Sequence, residues 1–442
     1  MIKSIFYTLP LFLLVSISTA QAQEKVLSKE EAIDLALENN LGIQVARNTK
    51  KIDDNNASIL NSGYLPTVTG NAGGSIDKQN TEGQLASGDT RTADGAETRR
   101  YNASVDVNYT LFDGLNRYYS YKSFKERSQQ SELEVKQTIE NTILQLFTVY
   151  YEVARLTENT KNLEQALGIS KDRLKRARYQ FEYGQNTGLD VLNAEVDINT
   201  DSINLLNSRQ QLRNTMRDLN LVLNQDLSSQ FLADTTVNFV PGLQMENMHN
   251  EAKTNNIRLQ LVEKDMNITM YNVKAAKSVF LPTIGLTGTY GWNESSNNSP
   301  LAFLIQNTST GVTGSVNLSW NLFDGGRGIT GIKNVKIGYE NQELLKKQIE
   351  LEVERDIRNA WDSYTNALYV LEVQEKNLQT NQNNFNRTDE RYKLGQVTSI
   401  EFRQAQLNLL NAELAQSQAK YSAKLAELQM LQISGQLLNV DF

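Results

Sequence analysis

Two stretches of this chain contain the same four residues: VNYTLFDG at Val107–Gly114 and NLSWNLFDG at Asn317–Gly325. The two copies of Leu-Phe-Asp-Gly lie 211 positions apart. Each copy ends a run in which apolar and polar residues alternate, which is typical of a β-strand with one apolar and one polar face. What these strings mean depends on whether the residues around them repeat in the same register.

The surrounding residues do repeat in register. Downstream, the offset of 211 aligns FEYGQ (181–185) with YKLGQ (392–396). Upstream, an offset of 216 aligns ALENNLGIQ (36–44) with AKTNNIRLQ (252–260), and Leu65-Pro66 with Leu281-Pro282. The difference of five residues falls between the proline and the Leu-Phe-Asp-Gly, as expected for a loop of variable length. A constant register on both sides of one variable loop predicts a duplicated unit.

We therefore predict two repeats, residues 23–240 and 241–442, with the same order of elements. Each repeat begins with a short helix (29–39 and 245–255) and a second helix, which covers 42–62 in the first repeat. A strand hairpin (64–113 and 281–324) with a long polar loop follows. A very long helix (114–183 and 325–394), a glycine-containing tip and a final helix (188–224 and 397–435) complete each repeat.

The first 22 residues resemble a secretory signal peptide. They comprise a short basic start, an apolar run from Ile5 to Ile17 and an Ala-x-Ala site ending at Ala22, after which cleavage is predicted. The alternative is a membrane anchor, but the apolar run is short for a span. No other stretch has about 18 consecutive apolar residues, so no transmembrane helix is predicted.

The composition excludes several kinds of chemistry. The chain has no cysteine and one histidine, His249, which rules out disulfides, thiolate sites, a lipidated cysteine and an imidazole metal cluster within one chain. We predict that His249 is a surface residue and that no cofactor is bound. The net charge is −7, or −8 without Lys3, and this acidic balance argues against a nucleic-acid partner.

The alternating strands indicate their environment. Soluble half-buried sheets alternate too, but here the polar face is small and neutral, and Tyr or Trp lies near the strand ends, as in a lipid-facing barrel. We predict strands of ten to twelve residues, four per chain. Four strands cannot close a barrel, whereas three chains would supply twelve. The predicted apolar face comprises Tyr101, Ala103, Val105, Val107, Tyr109, Leu111, Ile284, Leu286, Tyr290, Trp292, Val312, Val316, Leu318, Trp320 and Leu322.

The long helices carry a sevenfold apolar repeat. Neither long segment contains proline, and seventy residues in one helix would reach about 105 Å. Sevenfold spacing sustained over this length predicts coiled-coil packing. The repeating positions are Leu146, Val153, Thr160, Leu167, Leu174 and Phe181; Val191, Ile198, Leu205, Leu212 and Leu219; Ile357, Tyr364, Leu371, Leu378, Phe385 and Tyr392; Ile400, Leu407, Leu414, Tyr421 and Leu428; and a line of small residues at Ala405, Ala412, Ala419 and Ala426.

With these features the chain resembles the outer membrane efflux protein family, the TolC-like export ducts. The resemblance covers almost the whole mature chain. It implies a mainly α protein with a membrane β-barrel, in which a homotrimer forms one twelve-stranded barrel and a periplasmic helical tunnel. It also implies outer-membrane lipid contacts, a periplasmic adaptor (membrane fusion) protein and an inner-membrane RND or ABC transporter as partners, and no enzymatic activity. The cargo stays open.

The resemblance also assigns roles to particular residues. An entrance ring would fall on Glu401 and Gln404, although Gln404 departs from the acidic pattern and would weaken a ring that favours cations. The alternative for Glu401 is a solvated helix position. Adaptor docking at the helix-hairpin tips would involve Gly184, Gln185, Thr187, Gly395, Gln396 and Thr398.

The strand-to-helix junctions can be interpreted from the residues themselves. Asp113 and Asp324 can cap the free N–H groups of the following helix, and Gly114 and Gly325 allow the chain to turn. Leucine would end the lipid-facing row and phenylalanine would lie at the periplasmic border. The junction residues are Leu111, Phe112, Asp113, Gly114, Leu322, Phe323, Asp324 and Gly325.

Three other interpretations are weighed. Gly326–Gly331 spells G-x-G-x-x-G after a strand, a dinucleotide-site pattern. The preceding strand alternates, the following helix is too long for a βαβ crossover, and the other repeat lacks these glycines, so we do not predict a nucleotide site. A soluble periplasmic coiled-coil adaptor would lack the two membrane-type hairpins. An enzyme would require a catalytic constellation that the residues do not provide.

Overall fold

The computed structural model describes residues 26–299 and 302–440, so the predicted signal peptide lies outside the described residues. Helices and strands follow one another in the same order in both halves of the chain. The elements are β1 (Val26–Leu27), α1 (Lys29–Asn39), α2 (Leu41–Asn56), β2 (Thr67–Gln84), β3 (Thr90–Asp113), α3 (Asn116–Glu182), α4 (Gly188–Leu223), β4 (Leu232–Ala233), α5 (Met245–Asn255), α6 (Ile257–Ala276), β5 (Thr283–Asn297), β6 (Gln306–Ser319), α7 (Arg327–Lys393) and α8 (Ser399–Ile433).

The described residues form two compact units, and each unit takes residues from both repeats. The first unit contains residues 26–35, 146–237 and 376–421. The second unit contains residues 36–145, 238–375 and 422–440. The predicted repeats are therefore interleaved in space and do not form one compact unit each.

The first unit is built around buried tyrosines that come from both repeats. The hydroxyl of Tyr150 donates to the carbonyl of Leu27 at 2.6 Å and accepts from the N–H of Asp234 at 2.9 Å. These bonds lie beside the parallel pairing of β1 with β4. Tyr150, Tyr151 and Tyr421 are fully buried, and the rings of Tyr151 and Tyr421 are 5.7 Å apart. Burying such large aromatic side chains is a main source of stability in this unit.

The coiled-coil prediction is confirmed along most of the four helices. On α7 the line at Ile357, Tyr364 and Leu371 is buried although most of its neighbours are exposed. The small-residue line of α8 is also buried at Ala405, Ala412 and Ala419. Two predicted core positions are wrong, because Phe181 and Ile400, which flank the helix-hairpin tips, are exposed.

The second unit contains a four-stranded antiparallel sheet in the order β2-β3-β5-β6. The central pair, β3 with β5, joins the two repeats. Residues paired across the strands share a face, so that one row is apolar and the next is polar. The apolar row is Gly70, Val105, Tyr290 and Val312, and the adjacent polar row is Thr69, Asp106, Thr289 and Thr313.

The strands are longer than the sequence predicted. β2 and β3 have 18 and 24 residues, and β5 and β6 have 15 and 14. The predicted long polar loop of the first hairpin is wrong, because β2 and β3 pair as far as Gln84 with Thr90. Cross-strand hydrogen bonds maintain this ribbon without an apolar face, and an Asn80 side chain bonded to the N–H of Gly95 accommodates a register shift.

Other predicted boundaries differ by fewer residues. The second helix of the first repeat ends at Asn56, and a separate 3₁₀ turn covers Ile59–Asn61. β6 ends at Ser319, so Trp320 and Leu322 lie beyond the strand that was predicted to contain them. The short helices α1 and α5 have the predicted bounds. Within 26–299 and 302–440, none of the helices is apolar over a stretch long enough to cross a bilayer.

In the second unit, a buried ion pair holds the linker that leads into the second repeat. The ammonium of Lys424 lies 2.5 Å from the carboxylate of Glu427 and also donates to the carbonyl of Asn238 at 2.7 Å. The same carboxylate accepts from the N–H of Val240 at 3.1 Å. Both side chains are almost fully buried, so these bonds to backbone groups are needed to offset the desolvation of the two charges.

Glu140 on α3 is a buried acid of a different kind. It is only 4% exposed, and its Oε1 has no hydrogen-bond partner. Burial raises the pKa of Glu140 to about 7, and Lys136 opposes this rise only in part. Arg258 lines the same cavity, but its guanidinium pairs with Glu352 and Asp356. Glu140 is therefore held mainly in its neutral form in acidic solution and becomes ionised around neutral pH.

The raised pKa of Glu140 predicts a pH dependence of stability. The folded chain holds a proton that the unfolded chain loses above about pH 4.5, so stability falls as the pH rises from there through about 7. We expect Glu140→Gln, which stays neutral, to exceed the wild type in stability at pH 8 by on the order of 2–3 kcal/mol. At pH 4 the two proteins should be equal. The measurement is the apparent Tm by circular dichroism in detergent.

The matched control for this experiment is Glu375→Gln, which removes an exposed carboxylate from α7. This variant should keep the Tm of the wild type at both pH values. A Glu140→Gln variant whose Tm equals that of the wild type at pH 8 would contradict the prediction.

Candidate functional site

The polar face of the sheet carries one well-ordered carboxylate. Asp106 accepts hydrogen bonds from the amide of Asn71 at 2.7 Å, the hydroxyl of Ser104 at 2.9 Å and the hydroxyl of Thr289 at 2.6 Å. Three strands therefore contribute donors to one acidic side chain. Apart from this group, the polar face near Asp106 is made of small neutral residues, which suits an aqueous passage better than a selective pocket.

The two strand-to-helix junctions show the predicted caps. Asp113 accepts from the N–H of Arg117 at 2.9 Å, and Asp324 accepts from the N–H of Gly326 at 2.9 Å and of Gly328 at 2.6 Å. These bonds satisfy N–H groups that have no partner inside the helix. Phe323 is 83% exposed, and Leu111 and Leu322 are also exposed, whereas Phe112 is half-buried.

Gly114 and Gly325 both adopt positive φ, at 68° and 72°, which a residue with a Cβ rarely adopts. Gly114 has a second reason to be glycine. A Cβ there would lie 2.8 Å from the carbonyl oxygen of Ser278 and 2.9 Å from the Cβ of Leu281. The sequence predicted the turn, but this close approach of two distant backbone segments could not be read from local residues.

The G-x-G-x-x-G string is explained by the same junction. The N–H groups of Gly326 and Gly328, which a phosphate would need, are already occupied by the carboxylate of Asp324. A negative side chain at this helix N-terminus also repels an anionic ligand. Among the described residues, no cluster of three or more His, Asp or Glu side chains is arranged to hold a metal ion.

The two helix-hairpin tips have the same backbone geometry. Gly184 and Gly395 have φ of 69° and 74°. At each tip the glutamine that follows donates its N–H back into the preceding helix, from Gln185 to Gln180 at 2.7 Å and from Gln396 to Arg391 at 2.9 Å. This is the arrangement in which a left-handed glycine ends a helix. No atom lies within 4 Å of a Cβ built on either glycine.

Each tip exposes two apolar side chains at equivalent positions of the repeats. Tyr183 and Leu394 are 78% and 72% exposed, and Leu189 and Ile400 are 64% and 71% exposed. The sequence interpretation named the tip glycines and their polar neighbours for docking, assigned none of these four residues to the contact surface, and placed Ile400 in a buried sevenfold line instead. Their signal was an apolar residue on either side of the glycine turn, at the same repeat offset. Paired exposed apolar residues are a feature of protein contact surfaces.

A capping box explains the acidic residue after each tip. The carboxylate of Glu401 accepts from the N–H and hydroxyl of Thr398, at 2.8 and 2.9 Å. In the first repeat, Asp190 accepts from the N–H and hydroxyl of Thr187, at 3.4 and 3.0 Å. The bonds from Thr398 lower the pKa of Glu401. Glu401 is thus exposed and ionised, and it has a structural role at the N-terminus of α8.

Gln404, the second predicted ring position, is also exposed, and its amide donates to Asn408 at 2.8 Å. This bond lies on the surface of α8. Glu401 and Gln404 are therefore neighbours on one helix, and within residues 26–299 and 302–440 no further acidic side chain is in bonding contact with either.

A buried polar network in the first unit was not predicted. The guanidinium of Arg403 donates to both carboxylate oxygens of Asp201, at 2.7 and 2.8 Å, and to Ser170 at 3.2 Å. Gln406 donates to Ser170 at 3.1 Å and to the carbonyl of Ala166 at 2.8 Å. The network thus joins α3, α4 and α8, and its residues Ser170, Asp201, Arg403 and Gln406 are buried.

A second arginine, Arg173, extends this network. Its guanidinium pairs with Asp197, and its Nε is buried without a hydrogen-bond partner. Burial, together with the nearby charge of Arg403, lowers the pKa of Arg173. Next to it lies a groove of about 320 Å³ in which the rings of Tyr392 and Phe402 stack at 4.5 Å and Arg176 lies over Tyr392.

Comparisons with known proteins agree with this geometry. The sequence profile described as "Outer membrane efflux protein" matches residues 32–225 and 248–436. The outer membrane efflux protein BepC of Brucella suis is 23% identical over 413 residues, which cover 92% of this chain and 85% of BepC. The outer membrane protein TolC of Vibrio cholerae is 21% identical over 352 residues, covering 78% of this chain and 79% of TolC.

A solved structure shows the same fold. The outer membrane channel CmeC of Campylobacter jejuni superposes with a TM-score of 0.77 at 18% identity, covering 92% of this chain and 86% of CmeC.

The buried network predicts a specific loss of stability. In Arg403→Met the carboxylate of Asp201 stays buried without its guanidinium partner, which should cost about 3–5 kcal/mol. Replacing both residues, as Arg403→Met with Asp201→Leu, should recover part of that loss because no charge is then left unpaired. The measurement is thermal unfolding followed by circular dichroism. Arg387→Met, an exposed arginine on α7, is the control, and equal stability of Arg403→Met and this control would contradict the prediction.

Proposed function

The chain belongs to the outer membrane efflux protein family, and from this premise we propose that three copies form the export duct of a tripartite efflux or type I secretion system. Members of the family are outer-membrane efflux channels with a long periplasmic tunnel. They are passive channels and not enzymes, so the chain supplies a passage and an inner-membrane pump supplies the energy. The proposal concerns the assembly, its partners and its entrance.

One observation carries the proposal of a trimer: the sheet has two unpaired edges. β2 and β6 each pair on one side only, and many apolar side chains of the sheet are exposed. In hydrocarbon, every unpaired backbone group costs several kcal/mol, so an open sheet is not a stable membrane structure. Pairing β6 of one copy with β2 of the next would remove the edges. Three copies would give twelve strands, enough for a barrel with an aqueous interior.

Exposed apolar lines on the helices support contacts between copies. In the second unit, α7 exposes Ile337, Leu344 and Leu351, which are seven residues apart. In the first unit, α4 exposes Leu192, Val196, Ile203 and Leu206 beyond the tip, spaced at three, four or seven residues. Such lines are coiled-coil seams, and neither line has a partner helix within its own unit that covers it. Neighbouring copies would cover them in a closed assembly.

The tips support docking to a periplasmic adaptor. Tyr183, Leu189, Leu394 and Ile400 form two equivalent apolar pairs, and an adaptor that encircles a trimer would meet three copies of each pair. The adaptor would connect the duct to an RND or an ABC transporter. The neutral polar side chains around Asp106 are compatible with many cargoes, and so the pump would determine which compound is exported.

The proposed entrance ring gives a prediction with a matched control. Three copies of Glu401 facing one passage would favour cations, and Glu401→Gln should lower the potassium-to-chloride permeability ratio of the channel in planar bilayers. Asp190→Asn changes the equivalent capping box of the first repeat, so it reproduces the effect on the helix N-terminus. This control should keep the permeability ratio of the wild type. Equal ratios for all three proteins would exclude the ring.

Substitutions at the tips test the docking proposal and the assembly together. Gly184→Trp with Gly395→Trp adds bulk beside the exposed apolar pairs at positions where an added Cβ meets no other atom within 4 Å. Export, measured as dye accumulation in cells whose own copy of this gene is replaced, should be lost, while light scattering in detergent still gives a trimer.

The control for the tip experiment is Gly184→Asn with Gly395→Asn, because asparagine tolerates the left-handed backbone and adds little bulk. This variant should export normally. Export at the level of the wild type by the tryptophan variant would refute tip docking. A monomeric mass for the wild-type protein would refute the trimer.

A further inference from the structure

A groove beside the sheet has the composition of a lipid-headgroup site. It lies between α6 and α7 in the second unit and has a volume of about 380 Å³. We propose that this headgroup groove binds the zwitterionic headgroup of a phospholipid, with its phosphate on lysines and its ammonium on glutamates. The groove is lined by Met270, Val273, Lys274, Lys277, Lys336, Tyr339, Glu340 and Glu343.

The groove lies next to the border of the apolar face of the sheet. Between α6 and β5, the side chains of Val279, Phe280 and Leu281 are exposed, and the indole of Trp320 donates to the carbonyl of Phe280 at 3.1 Å. Aromatic residues with one polar group are typical of the membrane–water interface. Lys277 precedes Phe280 by three residues. Lys277, a cation of the groove, therefore lies close in the chain to the residues of the apolar border.

Two tyrosine rings lie beside one of the three cations, Lys274. The ammonium of Lys274 lies 5.3 Å from the ring centre of Tyr271 and 5.9 Å from that of Tyr119, which brings α6 and α3 together. Lys277 and Lys336 are exposed. In the described part of the chain, no ion pair involves Lys274, Lys277 or Lys336, so their charges are available to an anion from outside the chain.

The acidic side of the groove makes the site zwitterionic. Glu340 and Glu343 are exposed on α7, one and two turns beyond Lys336, and Tyr339 lies between them and the lysine. A plain phosphate would be repelled by two carboxylates. A headgroup that carries both a phosphate and a primary ammonium satisfies both sets of charges, and the ammonium can donate three hydrogen bonds.

The occupant is assigned as a membrane phospholipid because exposed apolar residues continue from the groove toward the sheet. Met270 and Val273 provide an apolar floor, and the exposed apolar border residues offer a path for acyl chains toward the sheet. Lysine side chains can extend their ammonium groups to the headgroup layer while their methylenes cover apolar surface. Basic pockets at the membrane border are known to bind lipid headgroups. Ethanolamine phospholipid has the required phosphate and ammonium.

The test uses the full-length assembled protein in detergent and counts bound lipids by native mass spectrometry. Phosphatidylethanolamine, phosphatidylglycerol and phosphatidylcholine with identical acyl chains are titrated separately. The wild type should bind phosphatidylethanolamine at least about tenfold more tightly than phosphatidylcholine, whose quaternary ammonium cannot donate hydrogen bonds. Failure of the wild type to distinguish these two lipids would overturn the proposal.

Two variants test separately the lysines and the glutamates of the groove. Lys274→Gln with Lys277→Gln and Lys336→Gln should weaken binding of phosphatidylethanolamine by at least about tenfold, since each lysine near a lipid surface contributes about 1 kcal/mol. Glu340→Gln with Glu343→Gln should remove the preference for phosphatidylethanolamine over phosphatidylglycerol. A charge-matched control on α3 in the first unit, Lys161→Gln with Lys171→Gln and Lys175→Gln, should bind like the wild type. Unchanged binding by the lysine variant would overturn the proposal.

The soluble headgroup distinguishes a lipid from a free phosphoester. Glycerophosphoethanolamine, which lacks acyl chains, should not displace the lipid at equal concentration, and equal displacement would overturn the assignment to a membrane lipid. The proposal rests on the outer-membrane location of the protein. The same spectra report the mass of the oligomer, so loss of assembly is distinguished from loss of lipid binding.

Discussion

The backbone hydrogen bonds of the strands are the constraint from which the other features follow. A β-strand in hydrocarbon must pair on both sides, because water is absent and an unpaired N–H or C=O group costs several kcal/mol. One chain supplies four strands and pairs them in a single order, which leaves the outer sides of β2 and β6 free. A monomer with this sheet would therefore leave two strand edges unpaired in the membrane. The exposed apolar lines of α4 and α7 are likewise without a partner, since no helix of their own units covers them.

The two repeats are alike where the chain must turn from one element to the next, at the tips and the strand-to-helix junctions. They differ where no such turn is required. Both tips keep a left-handed glycine and a capping box, because ending one helix and starting the next imposes the same backbone in each repeat. The junctions keep the capping aspartate for the same reason. The hairpins differ, with 18 and 24 residues in one and 15 and 14 in the other, because the ends of the strands that lie beyond the apolar rows need only backbone pairing. The two repeats therefore keep the same turn and capping residues where they need the same backbone. The lengths of their strands differ in the polar ribbon.

How much of the structure the sequence could predict depended on whether the deciding interaction was local. Periodicity and repeat register predicted the order of elements, the bounds of α1 and α5, the buried line at Ile357 and Tyr364, and the caps at Asp113 and Asp324. The polar ribbon between Asp77 and Arg100 was predicted as a loop, because its strands have no apolar face and depend on partners across the hairpin. The pairing of Arg403 with Asp201 joins residues 202 positions apart, and the contact of Gly114 with Ser278 joins two repeats. No local pattern contains such contacts. Similarly, Lys274, Lys277 and Lys336 form a groove only after α6 and α7 pack together.

The buried network at Arg403 specifies the register of the long helices, which an apolar core alone would not do. A sevenfold apolar repeat is nearly unchanged when one helix slides along another by seven residues, so apolar packing alone specifies the register of long helices poorly. Arg403 contacts Asp201 and Ser170 through directional bonds, and a shift by one heptad would leave these buried groups unpaired at a cost of several kcal/mol. The aromatic cluster of Tyr150, Tyr151 and Tyr421 supplies apolar stability to the same unit, while the ionic network selects one alignment of α3, α4 and α8. An alignment fixed in this way also keeps Tyr183 and Leu394, at the tips that flank α3, α4 and α8, in their exposed positions, which apolar packing alone would leave free to shift by a heptad.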